Sequence, residues 1–324
     1  MARSTVLRAL VILVEYVWCI SVARQLVRGV LGFLFPTTDG IAGQCLSATV
    51  GVLLEAALVV WGLAWRHTPG ADKKEILRWL RGGRMSSHKD QANRQWCLRL
   101  SLTLAAYHLV GLLILCLAEH HTTGNTQSIY LSRRDLLLPS TASTLGSPGA
   151  GVAISEPHIT AAGAGAMGAG AAVGAALELM IGAPLKEEAL FRWALFEGFL
   201  QEGGGAVGGG VVGAGLWAAA AFGAMHLTNV VGSRVLLRHA ALQTVLGSLQ
   251  GFVYSMIYVL TGSLRLPILL HSLNNFISLL EPASRRVPLC FGGWGGRGTS
   301  LALCTTGAVY AVAGWVCLRR VSQG

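Results

Sequence analysis

Apolar runs of bilayer length recur along this chain. They are Leu10 to Ala23 with a continuation toward Phe35, Cys45 to Trp65, Leu98 to Ala118, Val211 to Val231, Ala240 to Leu260, Leu266 to Leu280 and Ser300 to Leu318. A helix needs roughly 20 mostly apolar residues to cross the hydrocarbon core. This pattern commits the chain to an all-α fold, a polytopic helical membrane bundle of about eight transmembrane helices, with nine as the alternative count. Composition agrees. Charged residues make up 12% of the 324 positions, against roughly 25% in soluble domains.

The formal charge of +10 points to membrane topology rather than to nucleic acid. Basic residues crowd into short loops between apolar runs, as the positive-inside rule requires. The most charged loop, His67 to Trp96, holds Lys73, Lys74, Arg78, Arg81, Arg84, Lys89 and Arg94 and should face the cytoplasm. The loop from Glu119 to Thr160 is polar, rich in Ser, Thr, Gly and Pro, and is expected on the opposite side. Three regions follow: N-terminal helices over 1–160, a core over 161–282, and a last loop and helix over 283–324. The seven cysteines include no CxxC pair, so neither a disulfide framework nor a thiolate zinc site is indicated. Arg3 and Arg8 precede the first apolar run without a small-x-small cleavage site, and that run reads as a retained span.

Residues 161–200 set the helix count. They begin with a run of Ala and Gly. That run reads either as close helix packing through residues such as Gly170 and Gly174 or as low-complexity drift. A full span before Pro184 with a separate short helix after it gives nine membrane segments. One long helix from about Ala171 to Leu200, kinked near Pro184, gives eight. The second is preferred because it keeps the polar groups described next at similar depth, although the first agrees better with the basic pair Arg285 and Arg286.

Three short polar clusters interrupt three apolar segments: "EEALFR" (Glu187 to Arg192), "FGAMH" (Phe222 to His226) and "HSLNN" (His271 to Asn275). Ionisable groups inside a membrane are costly and usually face the bundle interior at a functional path. Glu188 and Arg192, four residues apart, share a helix face and can pair. Glu187 is turned about 100° from Glu188, which leaves it available as a base. His271 and Asn275 also share a face and can donate hydrogen bonds to one developing oxyanion. His226 lies one turn after Phe222, whose ring can fix the imidazole. Glu15, Glu55, Glu178, Glu197 and His108 also fall in apolar segments. None has a partner at a telling spacing, so these five read as structural.

EExxxR, FxxxH and HxxxN in this order resemble the three motifs of the CPBP family, the CAAX proteases and bacteriocin-processing enzymes, also called the ABI family. The resemblance covers roughly residues 182–280, including "GSLRLPILLHSLNNF". It implies an intramembrane endopeptidase in which Glu187 and His226 activate a water, His271 and Asn275 bind the oxyanion, and Glu188 and Arg192 orient the first helix. It leaves two accounts open. In one, Glu187, His226 and His271 hold Zn2+ as a metalloendopeptidase, with water in the fourth position. In the other, the same groups act without metal. The continuation "HLTNV" after the second motif lacks the further histidines common in eukaryotic CAAX-processing members.

The implied partners are a peptide or prenylated protein substrate and the lipid bilayer. The implied location is the endoplasmic reticulum membrane in a eukaryote or the plasma membrane in a bacterium. Competing classes are a catalytically silent relative acting as scaffold or immunity factor, which would be expected to lack a motif residue, and a transporter, for which inverted repeats would be expected.

Overall fold

The computed structural model describes residues 2–34, 41–67, 88–123, 129–131, 169–203, 210–227, 237–282 and 297–323. Within them the chain forms eight helices: α1 Ala2–Leu34, α2 Ile41–His67, α3 His88–Thr123, α4 over 169–203, α5 Gly210–Met225, α6 Leu237–Thr261, α7 Arg265–Leu279 and α8 Arg297–Ser322. Among the described residues, four segments are long and apolar enough to cross a membrane: Ala9–Leu34, Gly43–Ala64, Gln91–Ile114 and Ala241–Thr261. Their outer faces carry large exposed apolar side chains such as Val14, Trp18, Leu53, Leu102, Leu113 and Val245. A surface of this kind is stable against lipid tails, whereas in water it would be an association patch.

Several boundaries differ from those expected. The basic loop is shorter, because α3 already begins at His88. Lys89 and Arg94 are therefore helical, and the other basic residues of that loop lie outside the described residues. The polar loop starts later, since α3 runs to Thr123, and most of it also lies outside. So do residues 204–209 of the glycine-rich connector and the Arg285–Arg286 pair. The Val211 to Val231 run is a helix only as far as Met225. The all-α expectation also needs a small amendment. β1 (Ile129–Leu131) pairs antiparallel with β2 (Leu280–Pro282), Tyr130 opposite Glu281. The Leu266 to Leu280 run leaves its helix at Leu279, and Pro282 biases Glu281 before it toward the extended backbone of β2.

α4 is unbroken across Pro184, the arrangement expected for the eight-helix count. It alternates between α and wider π turns: α over Ala169–Leu177, π over Glu178–Gly182, α over Ala183–Glu188, π over Ala189–Leu195 and α over Phe196–Gly203. A proline inside a regular helix lacks a donor and clashes with the carbonyl four residues back. Here the turn before it is widened, with Ala183 N–H bonded to the Glu178 carbonyl five residues back. In that register the Pro184 nitrogen would face the carbonyl of Leu179, and it has no hydrogen to give.

The core forms around the second half of α4. Leu190, Phe191, Leu195 and Phe196 are fully or almost fully buried, and α1, α2, α5 and α6 pack against this stretch. Small residues let the helices approach, as expected for a membrane bundle. Gly174 of α4 faces Ala48 of α2, where an added Cβ would lie 3.0 Å from the alanine methyl. α5 crosses α6 through Gly223, Gly247 and Gly251, with Gly223 set directly against the Thr244 carbonyl and Ser248.

The turn from α6 to α7 is held tightly. Gly262 has φ +61, the left-handed conformation that favours glycine at a helix end, and its N–H reaches the Tyr258 carbonyl. Ser263 Oγ then accepts from the Arg265 N–H, one of the N–H groups that the start of α7 leaves without a partner inside the helix. This short connection fixes where α7 returns across the bundle, and α7 carries His271.

Candidate active site

Glu188 is the centre of the polar cluster. It is fully buried, as is Arg192. One carboxylate oxygen accepts from Arg192 Nε at 2.9 Å, the pairing expected from their four-residue spacing. The other accepts from His271 Nδ1 at 2.9 Å, across 83 residues of sequence. A carboxylate that is ionised against an arginine can only accept, so His271 Nδ1 carries the hydrogen. The ring orientation is thereby fixed, and Nε2 points away from Glu188.

Nε2 faces the neighbouring carboxylate. Glu187 Oε2 lies 3.7 Å from it. Adjacent residues on α4 thus approach the two nitrogens of one imidazole. The Arg192 guanidinium sits among aromatic rings, 5.0 Å from the Phe222 centroid and 5.8 Å from that of Tyr254. Their quadrupoles stabilise a cation that has been removed from water.

His226 lies just past the end of α5, in a turn closed by its own N–H to the Gly223 carbonyl. The Phe222 ring meets it edge-on at 5.7 Å and meets His271 edge-on at 5.5 Å. Phe222 therefore packs against both imidazoles, as well as against Phe191 of α4. α6 leaves space for His226 by having glycine at 247. A Cβ there would lie 2.8 Å from His226 Cδ2 and 3.0 Å from Nε2.

Gly247→Ala is accordingly expected to push the His226 ring aside while leaving the helix intact, since alanine is the better helix former. A ring displaced by about 1 Å can cost up to about 10²-fold in rate. Turnover per folded molecule, compared with the thermal melt, checks this. Parent turnover in the variant would mean that the position of His226 is unimportant.

Asn275 lies one turn beyond His271 and faces the same neighbour, α4. Its Nδ2 donates to the carbonyl of Leu179 at 2.8 Å, the acceptor that Pro184 cannot serve. As α7 runs from His271 to Asn275, its contacts on α4 run back from Glu188 to Leu179, so the two helices are antiparallel. One of the two Asn275 N–H donors is engaged and the other remains. Asn274 points instead toward α6, accepting from Gln250 Nε2 at 3.3 Å.

Among the described residues, no group of three or more His, Cys, Asp or Glu side chains is arranged to hold a metal ion. Of the candidate zinc donors, Glu187 and His271 face one another and His226 does not complete a set with them. The donor set as arranged falls short of the three protein ligands of a catalytic zinc site.

Spacing did not reveal the partners of the remaining polar residues. Glu55 and Glu178 both bond Lys186. Glu197 accepts from the Tyr258 hydroxyl, and His108 Nε2 bonds the Tyr310 hydroxyl. Each contact joins different helices or residues more than one turn apart, so the pattern of a single helix carries no trace of it. The one available signal was the cost of burying Lys186 within an apolar run.

Residues 169–277 match the family model described as type II CAAX prenyl endopeptidase Rce1-like. The matched segment contains α4, α5, α6 and the part of α7 that carries His271 and Asn275. No curated protein and no solved structure matches the chain. The family match, with four helices able to cross a bilayer, supports an integral membrane protease at the level of the family.

Proposed function

We propose, for a chain whose residues 169–277 match the Rce1-like family of type II CAAX prenyl endopeptidases, that it hydrolyses a peptide bond at the membrane, next to the prenylated cysteine of a CAAX protein. The observation that carries this reading is the buried Arg192–Glu188–His271 chain. It fixes one face of the imidazole and turns Nε2 toward Glu187, 3.7 Å away. A purely structural ion pair would not need a second carboxylate at the far ring nitrogen.

In the proposed reaction Glu187 takes a proton from a water that His226 helps to orient. The resulting hydroxide adds to the scissile carbonyl. The oxygen that gains the negative charge accepts hydrogen bonds from His271 Nε2–H and from the second Asn275 N–H. To donate from Nε2 while Nδ1 serves Glu188, His271 must be imidazolium, and the two flanking carboxylates supply its countercharge. Glu187 then returns the proton to the leaving nitrogen as the C–N bond breaks, giving a carboxylic acid and an amine, and transfer of the acid's proton to the amine leaves a carboxylate and an ammonium group. Donors aimed at the developing oxyanion are typically worth about 10²–10³-fold each. No step passes through a metal.

The test is incubation of the full-length chain, in detergent or reconstituted in vesicles, with a prenylated CAAX peptide. Mass spectrometry should detect the released C-terminal residues, and cleavage is expected to persist in excess chelator. Intact peptide after incubation with folded protein would overturn the peptidase reading and leave a silent scaffold. Loss of cleavage on chelation with recovery on added Zn2+ would favour a site with Glu187, His226 and His271 as ligands.

A further inference from the structure

Beside the catalytic cluster lies a second polar chain that the three motifs do not include. Lys186 is the residue before Glu187 and is only 2% exposed. Its Nζ donates to Glu55 Oε1 of α2 at 2.7 Å and to Glu178 Oε1 of α4 at 2.6 Å. Glu55 also accepts from Arg24 Nε of α1 through both oxygens, at 3.1 and 3.3 Å. Tyr16 of α1 is buried within electrostatic reach of Glu55, Glu178 and Glu187. Two cations and two carboxylates thus alternate from α1 through α2 to α4. Arg24 and Glu55 both lie outside the segment that matches the family.

The place where this chain lands matters. Glu178 opens the π turn before Pro184, and Lys186 follows Pro184. Their ion pair spans the point where α4 lacks a regular backbone bond. A helix widened there can bend or rotate at little cost, and such a change would swing Glu187 relative to His271. In the same stretch Asn275 of α7 occupies the Leu179 carbonyl. The break in α4 is therefore held by α7 through Asn275 and by α2 through Glu55, which Arg24 of α1 bonds in turn.

We propose that Lys186 is a positioning residue for Glu187, and that the Arg24–Glu55–Lys186–Glu178 chain uses the first two helices to set the azimuth of the catalytic helix. This rests on the peptidase reading above. Fixed geometry is where the benefit lies. A buried ion pair often contributes little net stability compared with well-packed apolar residues, whereas a 1 Å error in a reacting group costs up to about 10²-fold in rate.

The experiment uses the full-length protein and the prenylated peptide. Lys186→Met should lower kcat by about tenfold to 10²-fold, with KM within about twofold, because alignment of the base is felt mainly in the transition state. Lys186→Arg keeps the cation and should recover most of the loss. A merely structural lysine would instead reduce the yield of folded protein without changing kcat per folded molecule. Parent kcat in folded Lys186→Met overturns the proposal. If that variant does not accumulate, Glu55→Gln is read in its place, and an unchanged kcat there is equally fatal. If the parent cleaves nothing, the peptidase reading fails on its own. The clamp is then tested by melting temperatures of Glu55→Gln, Lys186→Met and the double variant: non-additive losses support it, and additive losses overturn it.

Discussion

Glu187→Gln is expected to lower turnover of a prenylated peptide by about 10²–10⁴-fold, the range for removing a general base, with little loss of folded protein. The reasoning is geometric. Glu187 meets the cluster through His271 Nε2 at 3.7 Å, beyond a direct hydrogen bond. It does not take part in the short bonds that hold the site together. Glutamine preserves its size and packing and removes the capacity to accept a proton, together with one of the two negative charges that flank His271. A stopped assay on purified protein, alongside its thermal melt, measures both quantities. Parent-level turnover would remove Glu187 as the base.

Glu188→Gln should behave in the opposite way, although the two residues are adjacent. Glu188 accepts from Arg192 and from His271, and both Glu188 and Arg192 are fully buried. Neutralising the carboxylate leaves a guanidinium inside the bundle with no anion beside it. Removing one partner of a buried pair typically costs about 3–5 kcal/mol. Phe222 and Tyr254 offset part of this through their ring faces. Glutamine also offers a single acceptor oxygen where two are in use, so it cannot keep both bonds. The expected result is a lower melting temperature, less protein recovered from the membrane, and lost turnover in whatever remains. Denaturation in a mixed-detergent series would measure the stability term. Adding Arg192→Met to Glu188→Gln should recover part of the lost stability, because it removes the orphaned charge. A variant as stable as the parent would show that the buried pair does not hold the helix.

Apolar length and in-helix spacing carried much of this protein. Runs of about twenty apolar residues specify membrane helices because hydrocarbon cannot solvate a charged or unbonded backbone. A four-residue spacing specifies neighbours because the helical repeat puts them on one face. The Glu188–Arg192 bond, the contact of Phe222 with His226 and the shared direction of His271 and Asn275 were therefore all legible in the sequence. Tertiary structure decided the contacts between helices. It gave His271 Nδ1 to Glu188 and turned Nε2 to Glu187. It set Asn275 on the carbonyl that Pro184 leaves without a donor. It also joined Lys186 to Glu55 and Glu178, two residues that spacing had marked as merely structural. Such pairs depend on how helices cross, on a glycine at 247 that leaves room for a ring, and on π turns that rotate the faces beyond them. A one-dimensional period reports neighbours along one helix, and it holds no information about the azimuth of the next.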